Sequence, residues 1–135
     1  MSIINDIRAC LDTHLTGTTS IPTIARQNVP FEPTTGTAFV KATLVPTLRR
    51  PAVRGLNPQK RYDGFYNILI CTPEGLGTGA GYDIADTLLS RFDAGTDITY
   101  NGYTVSIEYA EVGTSYLDSP FYCTPVAIAW YIYGA

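Results

Sequence analysis

The chain is poor in the residues that carry chemistry. Its 135 residues include one histidine, His14, one tryptophan and one methionine. The three cysteines, Cys10, Cys71 and Cys123, form no CxxC pair. A zinc site lacks ligands at usable spacing, and an odd, scattered set of cysteines is no disulfide framework. Each cysteine has apolar neighbours, so all three read as small buried hydrophobes. The longest apolar run near the C-terminus, Val126 to Tyr133, falls far short of the ~20 residues of a spanning helix, so no membrane role is expected. Asn5, Asp6 and Arg8 stand where a signal segment would be apolar, so the chain is expected to be made and kept in a cytosol. Base is nearly missing from the second part of the chain, where Arg91 is the single example after residue 61.

What is present describes a folded domain. Apolar residues make up 45% and charged residues 16%, which argues against disorder. The length fits one domain, residues 1–135, burying roughly two-thirds of its unfolded surface. The net charge of -3 hides a division. Residues 1–61 carry eight bases against three acids, a balance of +5; residues 62–135 carry nine acids against one base, a balance of -8. Unlike halves can be two solvated faces, and they also suit head-to-tail contact between copies.

Periodicity supplies the elements. Ser2 as a cap, Asp6 near the positive end and a stripe of Ile4, Ile7, Cys10, Leu11 and Leu15 predict an opening helix, ended by Gly17. Ile21–Asn28 reads as a short edge strand, and Val29–Gly36, with Pro30 and Pro33, as extended or loop. Alternation of Ala38, Val40, Ala42 and Leu44 predicts a strand over Thr37–Val45. Tyr62–Thr72 is apolar on both faces at its end and reads as a central strand. Ile84, Ala85, Leu88 and Phe92 predict a second helix, closed by Gly95. Asn101-Gly102 between Tyr100 and Tyr103 predicts a hairpin whose second arm alternates Tyr103, Val105, Ile107 and Tyr109. A turn-rich link, Gly113–Pro120, leads to a last strand, Phe121–Tyr133. The predicted class is α+β: a single mainly antiparallel β-sheet packed with two main α-helices.

No catalytic, cofactor-binding or metal residue emerges. GLGTGA, Gly75 to Ala80, matches the dinucleotide fingerprint, yet Pro73-Glu74 would bring an acid to the pyrophosphate and no βαβ repeat surrounds it. No lysine follows, which excludes a P-loop. The glycines read as a strand-to-helix connection. His14 reads as a surface residue, and Asp83 and Asp86 as first-turn charges that offset the helix dipole. Glu108 and Glu111, three apart on one strand, are expected on opposite faces.

The candidate site is a basic loop. Pro46–Lys60 holds three prolines, a glycine and the bases Arg49, Arg50, Arg54 and Lys60, with Arg61 next and no acid among them. A connection this long is functional or mobile. It reads as a docking element for DNA phosphates or an acidic protein surface, or as a solvated loop. Seven of the ten tyrosines follow residue 99, more than one small core needs, which hints at oligomer contacts.

These segments carry a resemblance. The helix IRACLDTHL, the extended IARQNVPFEPTTGTAFVKATLVP, the basic loop, RYDGFYNILICTPEGLGTGAGYDIADTLLSRF and the closing FYCTPVAIAWYIY resemble, in order and spacing, the tail terminator (tail completion) proteins of long-tailed bacteriophages. NVPF, RYDGFYNI and PEGLGTGAGYDIADTL are the most specific pieces. The resemblance covers nearly the whole chain and implies a non-enzymatic virion protein. Its copies would form a ring, usually of six, that caps the tail tube, ends polymerisation and offers the surface for head joining. The implied partners are other copies, the tail tube protein and a head-side connector, with phage DNA passing through the lumen unread. The implied place is the neck, reached from the host cytoplasm. A head-side neck adaptor is the alternative, and a small nucleotide-binding enzyme is disfavoured.

Overall fold

Two long strands rich in alternating apolar residues, and a third apolar on both faces, organise the chain. In the computed structural model, residues 3–18, 21–26, 31–33, 36–51, 60–75, 79–100 and 102–134 are described. In chain order they form α1 (Ile3–Thr16), β1 (Thr23–Arg26), β2 (Phe39–Pro51), β3 (Lys60–Pro73), α2 (Gly79–Arg91), β4 (Asp97–Tyr100), β5 (Tyr103–Val112), β6 (Tyr116–Asp118) and β7 (Phe121–Gly134). The strands make a seven-stranded sheet of order β1-β2-β3-β7-β5-β4, with β6 pairing β7 off that path. β1 runs parallel to β2; every other pair is antiparallel.

The predicted α+β class is therefore corrected. Strand makes up about half of the described residues and helix about a quarter, and the sheet curls into a mixed half-barrel carrying two short helices. The sequence overweights the helices because a 3.6-residue stripe stands out, whereas the lengths of β2, β3 and β7, 13, 14 and 14 residues, are set by pairing that no local pattern shows.

The core lies between one face of the sheet and the helices. Read across the sheet, its rungs are Ala42, Ile68, Val126 and Val112, then Leu44, Tyr66, Ile128 and Ala110, then Gly64, Trp130 and Ile107. On these pack Ile7, Cys10, Leu11 and Leu15 of α1, Ala85 and Leu88 of α2, and Phe92 just beyond it. Ile4, predicted on the same stripe, is 43% exposed, and the predicted cap Ser2 lies outside the described residues. Gly64 is required where it stands. A Cβ there would lie 2.5 Å from the Trp130 ring and 2.6 Å from the Val45 carbonyl oxygen. Gly81 likewise lets α2 approach β7, since a Cβ would meet Thr124 Oγ1 at 3.0 Å.

Three other expectations change. Pro46–Pro51 is strand, not loop: β2 continues past a register shift between Pro46 and Leu48. Such a bulge accommodates a residue that cannot donate to the ladder. In β5 a second shift, between Ile107 and Tyr109, breaks the predicted alternation. Val105 and Ile107 are buried, whereas Tyr109 turns to the opposite face and is 42% exposed. The same bulge puts Glu108 and Glu111 on one face, where Glu108 approaches Arg61 and Glu111 lines a groove. Finally, the link before β7 contains β6, paired Tyr116 to Cys123. The predicted hairpin stands, with Tyr100 opposite Tyr103 and Gly102 at φ 84°.

Candidate functional site

Four of the five bases that the sequence spaces over thirteen positions fall on the paired ends of β2 and β3. β2 and β3 pair through Arg49 with Tyr62, Arg50 with Arg61 and Pro51 with Lys60. Arg49, Arg50, Lys60 and Arg61 thus occupy three successive rungs; Arg54 lies outside the described residues, as do 52–59. Like charges directly opposite on neighbouring strands destabilise the pairing.

Arg61 is the base of this arm and is already engaged. Its Nε donates to Asp63 Oδ1 at 2.6 Å, and its guanidinium carbon stands 4.4 Å from the Tyr131 ring centre and 5.8 Å from that of Tyr133. Nη1 donates to the Tyr133 hydroxyl at 3.4 Å, and Nη2 stands 3.9 Å from Glu108. The Asp63 hydrogen bond leads the effects that push the Arg61 pKa above its ordinary value. A planar guanidinium suits this combination of carboxylate and ring faces. Arg61 is therefore held against the sheet by Asp63, Tyr131 and Tyr133.

The face of the sheet turned away from the helices continues from this clamp. It carries Tyr133, Tyr131, Phe65 and Tyr109, with the Phe65 and Tyr109 rings edge to face at 6.4 Å. Farther along, a shallow groove of about 370 Å³ is floored by Pro125 and Ala127 and edged by Lys41, Asn67, Leu69 and Glu111. Lys41 and Glu111 stand on β2 and β5, three strand spacings or ~14 Å apart. The face is thus basic along one side and acidic along the other. Past the groove, Phe39, Cys71, Phe121 and Cys123 form a small second cluster with Ala25.

The remaining polar residues serve the fold. His14, expected at the surface, is half-buried and joins the helix ends. Its Nε2 lies 2.8 Å from the Arg91 carbonyl, Arg91 Nε donates to the His14 carbonyl at 3.2 Å, and its ring meets Phe92 edge-on at 5.0 Å. Burial, opposed by the Arg91 carbonyl bond and aided by the nearby Arg91 charge, lowers the His14 pKa from 6.5. Because the folded state holds its proton less tightly than the unfolded chain, acid favours unfolding here. Stability from this joint is complete above pH 6.5 and is lost as pH falls through the lower folded-state value. We expect thermal melts between pH 7.5 and 5.5 to show this loss, and His14→Gln, which keeps a donor for the Arg91 carbonyl, to flatten it. An unchanged slope in the variant would assign the loss to other groups.

Cysteine placement is partly a surprise. Cys71 and Cys123 are register partners with sulfurs 3.3 Å apart, a contact between free thiols. Burial raises both, Cys71 to about 12, and raises Cys10 to about 11. Such thiols are poor nucleophiles. Spacing along the chain gives no sign of the Cys71–Cys123 meeting, which needs the register of two strands far apart in sequence. Among the described residues no group of three His, Cys, Asp or Glu is placed to hold a metal.

The glycine motif is set in a frame unlike that of dinucleotide sites. β3, which leads into it, is flanked on both sides by antiparallel strands, so no parallel βαβ unit is formed. Residues 76–78 of the motif lie outside the described residues. Glu74 accepts from Ser119 Oγ at 2.6 Å, tying the connection to the β6–β7 turn.

Eight chains of solved structures match. One of them, 20% identical, covers 100% of this chain and 97% of its own with a TM-score of 0.74, a likeness of fold. No curated protein matches. The family model described as phage tail terminator protein matches residues 6–130, which takes in most of α1 and β7, every element between them and the basic arm. Its members are structural components of phage tails, not enzymes, and the chain belongs to the phage tail terminator protein family.

Proposed function

We propose that this chain assembles into a ring of six copies that caps the finished tail tube, ends its polymerisation and offers the surface on which the head is joined. The ring would sit in the neck of the virion, be built in the host cytoplasm, and let DNA pass through its lumen without reading sequence. The observation that carries this is the family match across nearly the entire chain. Two structural features support it: a basic hairpin end fixed by the Arg61 clamp, and an open sheet face lined by exposed aromatics. Tyr100, Tyr109, Tyr116 and Tyr133 are between 38% and 47% exposed, and such rings supply contact area with a polar tip.

The test is tail length in a phage lacking this chain, with imaging of the purified protein and tail tubes. Overlong tails, and rings seated on tube ends, are the expected results. Tails of normal length that fail to join heads would instead assign the chain to the head side of the neck as an adaptor.

A further inference from the structure

The two edges of the half-barrel are unlike. The strand order leaves β1 and β4 as the outer strands, each of four residues and each paired on one side. β1 and β2 contain Arg26, Lys41, Arg49 and Arg50 and no acid; β4 and β5 contain Asp97, Glu108 and Glu111 and no base. The division of charge seen along the sequence is therefore a division across the sheet. It follows from topology: the first strands of the chain take one edge, while β3 and β7 lie centrally and β5 and β4 take the other.

Lys41 on the basic side and Asp97, Glu108 and Glu111 on the acidic side are all exposed. Each edge also presents a ring. Phe31, 37% exposed, stacks at 5.0 Å on Phe39 beside β1, and Tyr100, 38% exposed, ends β4. Short edge strands with free ladder groups are places where another chain can pair or pack. An isologous contact would set base against base or acid against acid. A heterologous contact sets base against acid, and repeated with a closing rotation it makes a ring.

We propose that neighbouring copies of this chain meet head to tail, the β1–β2 edge of one against the β4–β5 edge of the next, with Lys41 opposite Asp97 and Glu111. This deepens the ring reading and rests on it.

Charge reversal with rescue between variants tests it. One variant carries Lys41→Glu; the other carries Asp97→Lys and Glu111→Lys. Each is checked for folding by circular dichroism and then followed by native mass spectrometry, alone and with tail tube. Each variant alone should lose rings at least tenfold relative to the unaltered chain. Mixed in equal amounts they should regain rings that alternate the two, because an acidic β1–β2 edge now meets a basic β4–β5 edge. If the unaltered chain forms rings and each variant does so equally well, the edge assignment is overturned while the ring stands. The edge assignment also falls if both variants are folded monomers and their mixture stays monomeric. An unaltered chain that stays monomeric even on tube ends overturns the ring and this inference together.

Discussion

Truncating Trp130 to alanine should cost about 3–5 kcal/mol, the usual range for deleting a large buried aromatic, and lower Tm by roughly 10–20 °C in a domain of this size. The ring is 1% exposed and lies over Gly64 of β3 and beside Ile107 of β5, at the crossing of the three strands that hold the sheet together. Trp130→Phe should cost far less. Its indole Nε1 is buried without a hydrogen-bond partner among the described residues, so exchange for phenylalanine removes volume but relieves an unsatisfied donor. The complementary change, Gly64→Ala, should destabilise by about 1–3 kcal/mol through overpacking. Pairing it with Trp130→Phe should recover only part of that loss, because the added methyl also strikes the Val45 carbonyl, which is backbone and cannot turn aside. Urea melts of the four proteins check this. A Trp130→Ala protein as stable as the parent would show that the ring is not packed as described.

This pair shows where reading the sequence stops. That Tyr66, Ile68 and Ile70 share a face is visible from alternation alone, as is the hairpin at Asn101-Gly102, because both signals lie within a few residues. That Gly64 is small because Trp130 covers it is not visible, since the two meet only once β3 and β7 are in register. The bulges fail for the same reason. Glu108 is an extra residue in a ladder, and extra residues are defined by the partner strand. Tyr109 and Glu111 therefore change faces relative to the simple count. The parallel β1–β2 pair and the half-barrel curl are likewise properties of the sheet, so local patterns alone favour an α+β arrangement of one mainly antiparallel sheet packed with two main helices. For the candidate site, composition is a sound guide to charge and a poor one to form. Prolines at 46 and 51 suggest a loop, whereas strand pairing persists past the first and includes the second. Arg61, in the sequence one more base among several, proves to be held by Asp63, Tyr131 and Tyr133.

That distinction between base and arm sets the outcome of reversing the arm. Replacing Arg49, Arg50 and Arg54 with glutamate should leave the fold intact and abolish docking. Both positions lie beyond the Pro46–Leu48 bulge; Arg49 is opposite the core residue Tyr62, and at the next rung the change converts a like-charge pairing of Arg50 with Arg61 into an opposite-charge one. Stability should therefore hold within about 1 kcal/mol or rise slightly. Binding is another matter. Three reversals change the local charge by six units, and juxtaposing like charges across an interface costs several kcal/mol, equivalent to a loss of at least about a hundredfold in affinity. Phage carrying the triple variant should accordingly make overlong or headless tails from a protein that melts normally. If the arm meets an acidic surface, docking of the unaltered protein should weaken as salt rises. Arg61→Ala should behave differently again, lowering thermal stability by freeing the clamp and impairing docking through misplacement of its neighbours. Normal tails that join heads in the triple variant would remove the arm from docking and leave the open sheet face as the surface in play.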